Sequence, residues 1–215
     1  MAFIKKSPDA ALTEASTADS SESHRASERD FAGLIDQLDD ADPSIRRWAA
    51  RDLLAYPAST GALVARLKRE DDRSVREFIL TSLTRLGDDI AVAGLVEWLR
   101  SEDAVMRNEA IEAMKALPDE VAPIMGSLLA DVDPDVRIMA VNVLESLRHP
   151  HVEEWLIDVI DNDSVINVCG TAVDLLGEVG SPAARASLLR LRERFSDEPY
   201  IQFATNLALK RIGEA

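Results

Sequence analysis

The sequence contains a single cysteine, Cys169, in 215 residues. One thiol excludes an intramolecular disulfide framework and any metal site made of several cysteines. Aromatic residues are scarce at 5%, and nine Gly and nine Pro are few for a chain of this length. An all-β protein would need more of each, for pleated packing and for frequent tight turns, so a helical fold is expected. No run of 18 apolar residues exists, so no membrane-spanning helix is expected. The start, Met1 to Asp9, lacks the uninterrupted apolar stretch of a secretory signal, and a cytoplasmic location is the expectation. Positive charge is short as well: 24 Lys and Arg stand against 39 Asp and Glu, a net charge of −15. Nucleic acids and anionic membranes are bound largely through basic side chains, so neither is expected as a partner. The surplus of carboxylates suits solubility and leaves room for a basic partner.

Hydrophobic residues reach 47%, enough for a sizeable core, and Ala, Leu and Val dominate them. They are unevenly placed. Thr13–Arg29 is mostly Ala, Ser, Thr and Glu, with no aromatic. Such a stretch buries too little apolar surface to offset its ordering entropy, so residues 1–28 are expected to form a disordered N-terminal tail. Phe3 and Ile4, ahead of Lys5 and Lys6, offer a short docking peptide as the alternative.

From about residue 29 to the end one phrase recurs. Apolar anchors Ile45, Val75, Met106, Val136, Val165 and Ile201 are each followed by small or apolar residues at +4, +8 and +11. The +4 residues are Ala49, Ile79, Ala110, Ala140, Cys169 and Thr205; the +8 residues are Leu53, Leu83, Met114, Leu144, Val173 and Leu209. Those offsets fall in one stripe of an α-helix. Anchor separations of 30, 31, 30, 29 and 36 residues have the period of a solenoid. Asp42, Asp72, Asp103 and Asp133 precede four anchors by three residues and suit N-caps, while Gly87, Gly177 and Gly213 suit left-handed C′ positions. Between these helices lie second amphipathic segments, such as 91–99, 121–129 and 152–160. The expected fold is all-α, an α-α superhelix of about six helix pairs whose seams close only when neighbours stack.

The phrases Asp-Pro-Ser-Ile-Arg at 42–46, Asp-Arg-Ser-Val-Arg at 72–76 and Asp-Pro-Asp-Val-Arg at 133–137 resemble the HEAT repeat, in the short HEAT-like form of phycobilin lyases and many bacterial proteins. The resemblance covers 30–213. It implies that first helices line the convex face and second helices the concave face. It also implies that the residue after the anchor, here Arg46, Arg76, Arg107 and Arg137, joins an acidic residue in a ladder between repeats. Asp40, Glu70 and Asp131, six residues earlier, are the suitable partners; Ser101, Ile166 and Gln202 interrupt the pattern.

Catalytic signatures are thin. His149-Pro150-His151 has no carboxylate or cysteine at ligand spacing, and Cys169 reads as a small buried hydrophobe. No phosphate-cradling loop or nucleophile motif appears, so neither an enzyme nor a cofactor is expected. The remaining candidate is the outer side of the second helices, at +2, +6 and +9 from each anchor. Glu77, Asn108, Glu112, Asn142, Glu145, Asn167, Asp174, Phe203 and Leu207 stand there as candidate protein-binding residues. Asn108, Asn142 and Asn167 read as a row of asparagines, which is unexpected on a helix face kept only for solubility. Phe203 and Leu207 are apolar anchor candidates or, equally, a buried capping contact. Arg185, Arg190, Arg192 and Arg194 form a local positive face, read as a charged end cap or as a receiver of an acidic segment. The expected function is that of a monomeric binding module, an adaptor or assembly factor holding another protein's segment. The alternative implied by the resemblance is a lyase-like or maturation factor that handles a tetrapyrrole, and a third reading is an acidic mimic that binds a basic nucleic-acid-binding protein.

Overall fold

The computed structural model describes residues 30–214, so the expectations for residues 1–28 lie outside the described residues. Among the described residues there are twelve α-helices, three short 3-10 segments and no strand. The chain divides into two compact units, one ending at Leu86 and one beginning at Gly87.

The first unit contains two helical hairpins, α1 (Phe31–Gln37) with α2 (Pro43–Asp52) and α3 (Thr60–Leu67) with α4 (Arg73–Leu86). The second contains four: α5 (Asp89–Leu99) with α6 (Ala104–Lys115), α7 (Pro118–Leu129) with α8 (Pro134–Leu144), α9 (Val152–Asn162) with α10 (Ile166–Val179), and α11 (Arg185–Arg194) with α12 (Pro199–Glu214). In this unit α6, α8, α10 and α12 pack directly, each on the next, and more closely than α5, α7 and α9 do. The second helices thus form one layer of the unit, called the inner layer below.

Helix starts follow from capping chemistry. The carboxylates of Asp42, Asp103 and Asp133 accept bonds from the amides of Ser44, Val105 and Asp135, and Asp72 accepts from Ser74 and Val75. Each satisfies a first-turn donor that the helix itself cannot. Gly87 adopts the left-handed C′ conformation at φ 60°. Gly177 and Gly213 do not; both lie inside helices, contrary to the expectation that they end them. Gly177 instead permits close packing, since a Cβ there would sit 3.5 Å from the Ala208 backbone.

The seams are apolar and dry. Leu53, Ile79, Leu83, Ala110, Met114, Ala140 and Leu144 are all 1% exposed or less. Two departures matter. Ile45 is 37% exposed, and the first hairpin is held by Leu34, Leu38 and Leu53 instead. In the fifth hairpin Val168, Ala172 and Leu176 are each 0% exposed, but so are Cys169 and Val173 of the expected stripe, so the helix cap decides the register. Val165 is half-buried and occupies the N-cap of α10, the place of Asp133 in α8. With Val168 as anchor, the separations become 32 and 33 residues rather than 29 and 36.

The arginine ladder is real, but its atoms differ from expectation. Arg46, Arg76, Arg107 and Arg137 each turn Nη1 onto two backbone carbonyls, six and five residues back. The opposite edge of Arg46 grips the Glu70 carboxylate at 2.8 and 2.7 Å, and Arg137 grips Asp163 at 2.6 and 3.1 Å. All four arginines thus bond the carbonyl of the residue six back, and Arg46 and Arg137 also bond a carboxylate of the next hairpin. The carboxylates of Asp40, Glu70 and Asp131 are meanwhile engaged by the amides two residues on, in Asp42, Asp72 and Asp133.

Cys169 takes the ladder position in α10, where its thiol donates to the Asp163 carbonyl six residues back at 3.3 Å but cannot span several groups as a guanidinium does. Arg194 from α11 supplies the missing guanidinium, donating to the carbonyls of Ile160, Asp161 and Asp163 at 2.8 Å each. Arg190 pairs with Asp161 and Arg192 with Asn206. Three of the four arginines of this face are thus engaged within their own unit, while the Arg190 side chain stays 61% exposed. In the last hairpin Gln202 does the same work, bonding the carbonyls of Arg192 and Phe195.

Candidate functional site

In the second unit, one exposed stripe runs along each inner helix. On α6 it carries Asn108 and Glu112, and on α8 the half-buried Asn142 with the exposed Glu145. On α10 it carries Asn167 and Asp174, and on α12 Phe203 and Leu207, which are 66% and 37% exposed. Phe203 and Leu207 are therefore not buried in a capping contact. Glu77 lies in the first unit, exposed on α4 and 3.4 Å from Arg73.

The three asparagines do not form a row. Asn108 sits near the start of α6, Asn142 in the third turn of α8, and Asn167 in the first turn of α10. The three-residue offset of the fifth hairpin places Asp174, not Asn167, level with Asn142.

Instead, the stripe is knitted by ionic and polar contacts between neighbouring inner helices. Lys115 on α6 lies 3.1 Å from Glu112 and 3.0 Å from Glu145 on α8. Burial by itself would lower its ammonium, but the two carboxylates outweigh that and hold its pKa above the ordinary lysine value. Tyr200 on α12 donates its hydroxyl to Asp174 on α10, and this bond, with some burial, pushes the phenol up to about 12. The ring fits because residue 170 is glycine; a Cβ there would come within 2.9 Å of it. Between α8 and α10 lies an open groove of about 240 Å³, floored by Val141 and Leu175 and edged by Asn142, Glu145, Thr171, Asp174 and Glu178.

Spacing alone did not reveal Tyr200 or Glu178. Tyr200 directly precedes an anchor, a position on the same helical side as +3, and Glu178 lies thirteen residues after Val165, beyond the +9 position that closed each stripe. In the first unit, Trp48 was also missed; it is 41% exposed, with the Arg51 guanidinium 4.4 Å from its ring centre. That stacking follows from the three-residue helical spacing.

The other residues considered for chemistry have structural surroundings. His149 stacks on Trp155 at 4.9 Å, and His151 lies 2.8 Å from Glu154. Cys169 is fully buried, and desolvation raises its thiol pKa, which suppresses the nucleophilic thiolate. Among the described residues no group of three His, Cys, Asp or Glu side chains is arranged to hold a metal ion. None of the described helices is long and apolar enough to cross a membrane.

A family model described as HEAT repeats matches residues 31–115 and 121–210. Over 75 residues the chain is 39% identical to a bilin biosynthesis protein, PecE, of Nostoc sp. (strain PCC 7120 / SAG 25.82 / UTEX 2576). That match covers 34% of this chain and 30% of the relative, so the chain spans under a third of the relative's length. Among solved structures, it is similar to an archaeal HEAT-like repeats protein from Thermococcus onnurineus NA1, at 17% identity and a TM-score of 0.43, over 84% of this chain and 86% of that one. It is also similar to the complex of CpcE and CpcF of phycocyanin lyase from Nostoc sp. PCC7120, at 20% identity and a TM-score of 0.34, over 83% of this chain and 93% of that one.

Proposed function

The chain belongs to the HEAT-repeat family, and on that premise we propose that it is a binding module that holds a segment of another protein along its second-helix face. One observation carries this reading: the face is exposed and chemically mixed, with amides, carboxylates and two uncovered apolar side chains, Phe203 and Leu207. Asn142 and Thr171 can pair with an extended backbone, and Phe203 and Leu207 can anchor an apolar side chain. Recognition is by static complementarity, without bond chemistry, and the chain acts as an adaptor, regulator or assembly factor. The repeat region, residues 29–215, carries this role, with Glu77, Asn108, Glu112, Asn142, Glu145, Asn167, Asp174, Phe203 and Leu207 as its contact residues.

A pull-down from the native lysate tests this, comparing the intact chain with the Asn108→Ala, Glu112→Ala, Asn142→Ala, Glu145→Ala variant. The variant is expected to lose the partners captured by the intact chain while keeping its helical circular dichroism. Equal capture by both proteins would misplace the interface. The partial identity to PecE favours a second reading, in which the chain assists in handling a bilin. The purified protein is expected to leave the absorption spectrum of an added open-chain tetrapyrrole unchanged; a shifted band would favour that second reading.

A further inference from the structure

Charge is divided unequally along the chain. Residues 87–215 hold 24 Asp and Glu against 11 Lys and Arg, a net −13 of the total −15. The first unit and the residues before it are almost balanced. The acidity therefore belongs to the unit that contains the groove between α8 and α10, and none of the groove's lining residues is basic. Three carboxylates line it, those of Glu145, Asp174 and Glu178, over an apolar floor of Val141 and Leu175. Lys115 approaches from the α6 side, but Glu112 and Glu145 both neutralise it.

The volume narrows the occupant. About 240 Å³ falls below the usual range for small-molecule pockets, roughly 300–1,000 Å³, and suits one or two side chains of a larger ligand. Beyond α10, helix α12 presents the exposed ring of Phe203 and the partly exposed Leu207. Packed helices lie about 8–10 Å apart, and an extended chain rises about 3.3 Å per residue. An extended segment crossing from the groove to α12 therefore spans about four residues.

Resting on the binding-module reading above, we propose that the second-helix face of this unit receives a basic segment of another protein. The segment seats Lys or Arg side chains in the groove between α8 and α10, and places a large apolar residue on Phe203 and Leu207 about four positions away. The alkyl stem of a Lys or Arg covers Val141 and Leu175 while its head meets the carboxylates. Asn142 and Thr171 hold the backbone between the two anchor points.

Fluorescence anisotropy with a labelled synthetic peptide tests the proposal on the full chain. The probe carries two adjacent Arg and one Leu about four positions away, in a Gly-Ser background. Controls replace the Arg pair by Gln or move the Leu next to it. The Arg peptide is expected to bind saturably, and to bind about tenfold more weakly when salt rises from about 0.05 to 0.3 M. Glu145→Gln, Asp174→Asn, Glu178→Gln together should weaken it by about tenfold or more. An equal loss of charge away from the groove, by Glu102→Gln, Asp119→Asn, Glu120→Gln, should weaken it by about twofold at most. Both triple variants are first checked for wild-type thermal unfolding, and single substitutions replace any that fails.

No saturable binding by the Arg peptide, or equal binding by the Gln peptide, overturns the proposal. So does an equal effect of the two triple variants, which would mean attraction to diffuse charge. If the Gln peptide binds and Phe203→Ser or Asn142→Ala weakens it, the face remains a binding surface and only the basic character of its ligand is wrong. Binding that ignores every substitution on the face would also remove the broader reading.

Discussion

Glu70→Gln is expected to destabilise the first unit by about 3 kcal/mol at neutral pH, seen as a lower denaturant midpoint. Glu70 is only 2% exposed, yet it accepts bonds from Arg46, from Arg66 at 2.9 Å and from the Asp72 amide at 2.9 Å. Burial alone would raise its carboxyl pKa, but these donors outweigh burial and hold it below the ordinary value of 4.5. Gln preserves the shape and removes the charge. Arg46, 8% exposed, is then left as a buried cation without its counterion, a change that costs about 3–5 kcal/mol when one partner is deleted outright. The pH dependence has a definite sign. A carboxyl depressed in the folded state contributes stability that is fully present above its unfolded value and is lost as pH falls through its lower folded value. The gap between wild type and variant should therefore shrink as pH drops below about 4.5. An unchanged gap in acid would contradict the assignment.

Two valines in the fifth hairpin should respond in opposite directions to the same substitution. Val168 is 0% exposed, so Val168→Asp buries a carboxylate among apolar neighbours and is expected to cost about 4 kcal/mol or more. Val165, three residues earlier, has N-cap geometry with φ −89° and ψ 117°, close to −83° and 116° at Asp133. Its amide donates to Asp163, as the Asp133 amide donates to Asp131. Val165→Asp thus installs the missing cap, with the Asn167 amide as its donor. The gain should be about 0.5–1 kcal/mol, reduced by the partial exposure of a valine. Thermal unfolding of both variants gives the answer. A loss of stability in Val165→Asp as large as that in Val168→Asp would restore the earlier register.

That register shows how far sequence pattern reaches. Four Asp caps and the helical stripe were sufficient to define the paired helices and their stacking, because capping and burial act within a turn or two. Where the cap was valine and the ladder residue was cysteine, the pattern slid by three residues, since Val165, Cys169 and Val173 also satisfy a helical stripe. The folded chain puts Val165 at the N-cap, so Val168 stands three residues on, as Val136 does after Asp133. The error then moved outward, making Asn167 seem level with Asn108. Gly177 and Gly213 misled for a related reason: a glycine at a helix end and one at a tight helix crossing are alike in sequence. The substitution of Arg194 for an absent ladder arginine joins residues 31 to 34 apart, a relation no local spacing contains. The groove between α8 and α10 likewise combines two helices, and only its individual carboxylates could be read beforehand.

The central functional claim is that the second-helix face, and not the first-helix side, contacts the partner. Site-specific photocrosslinking in the native lysate tests it most directly, with a benzophenone amino acid placed at Asn142 or Thr171 and, in parallel, at Ala93 or Ser127 on the first helices. The account predicts a discrete crosslinked adduct from the first pair of positions and none from the second. Adducts formed only from Ala93 and Ser127 would place the partner on the opposite side and contradict it.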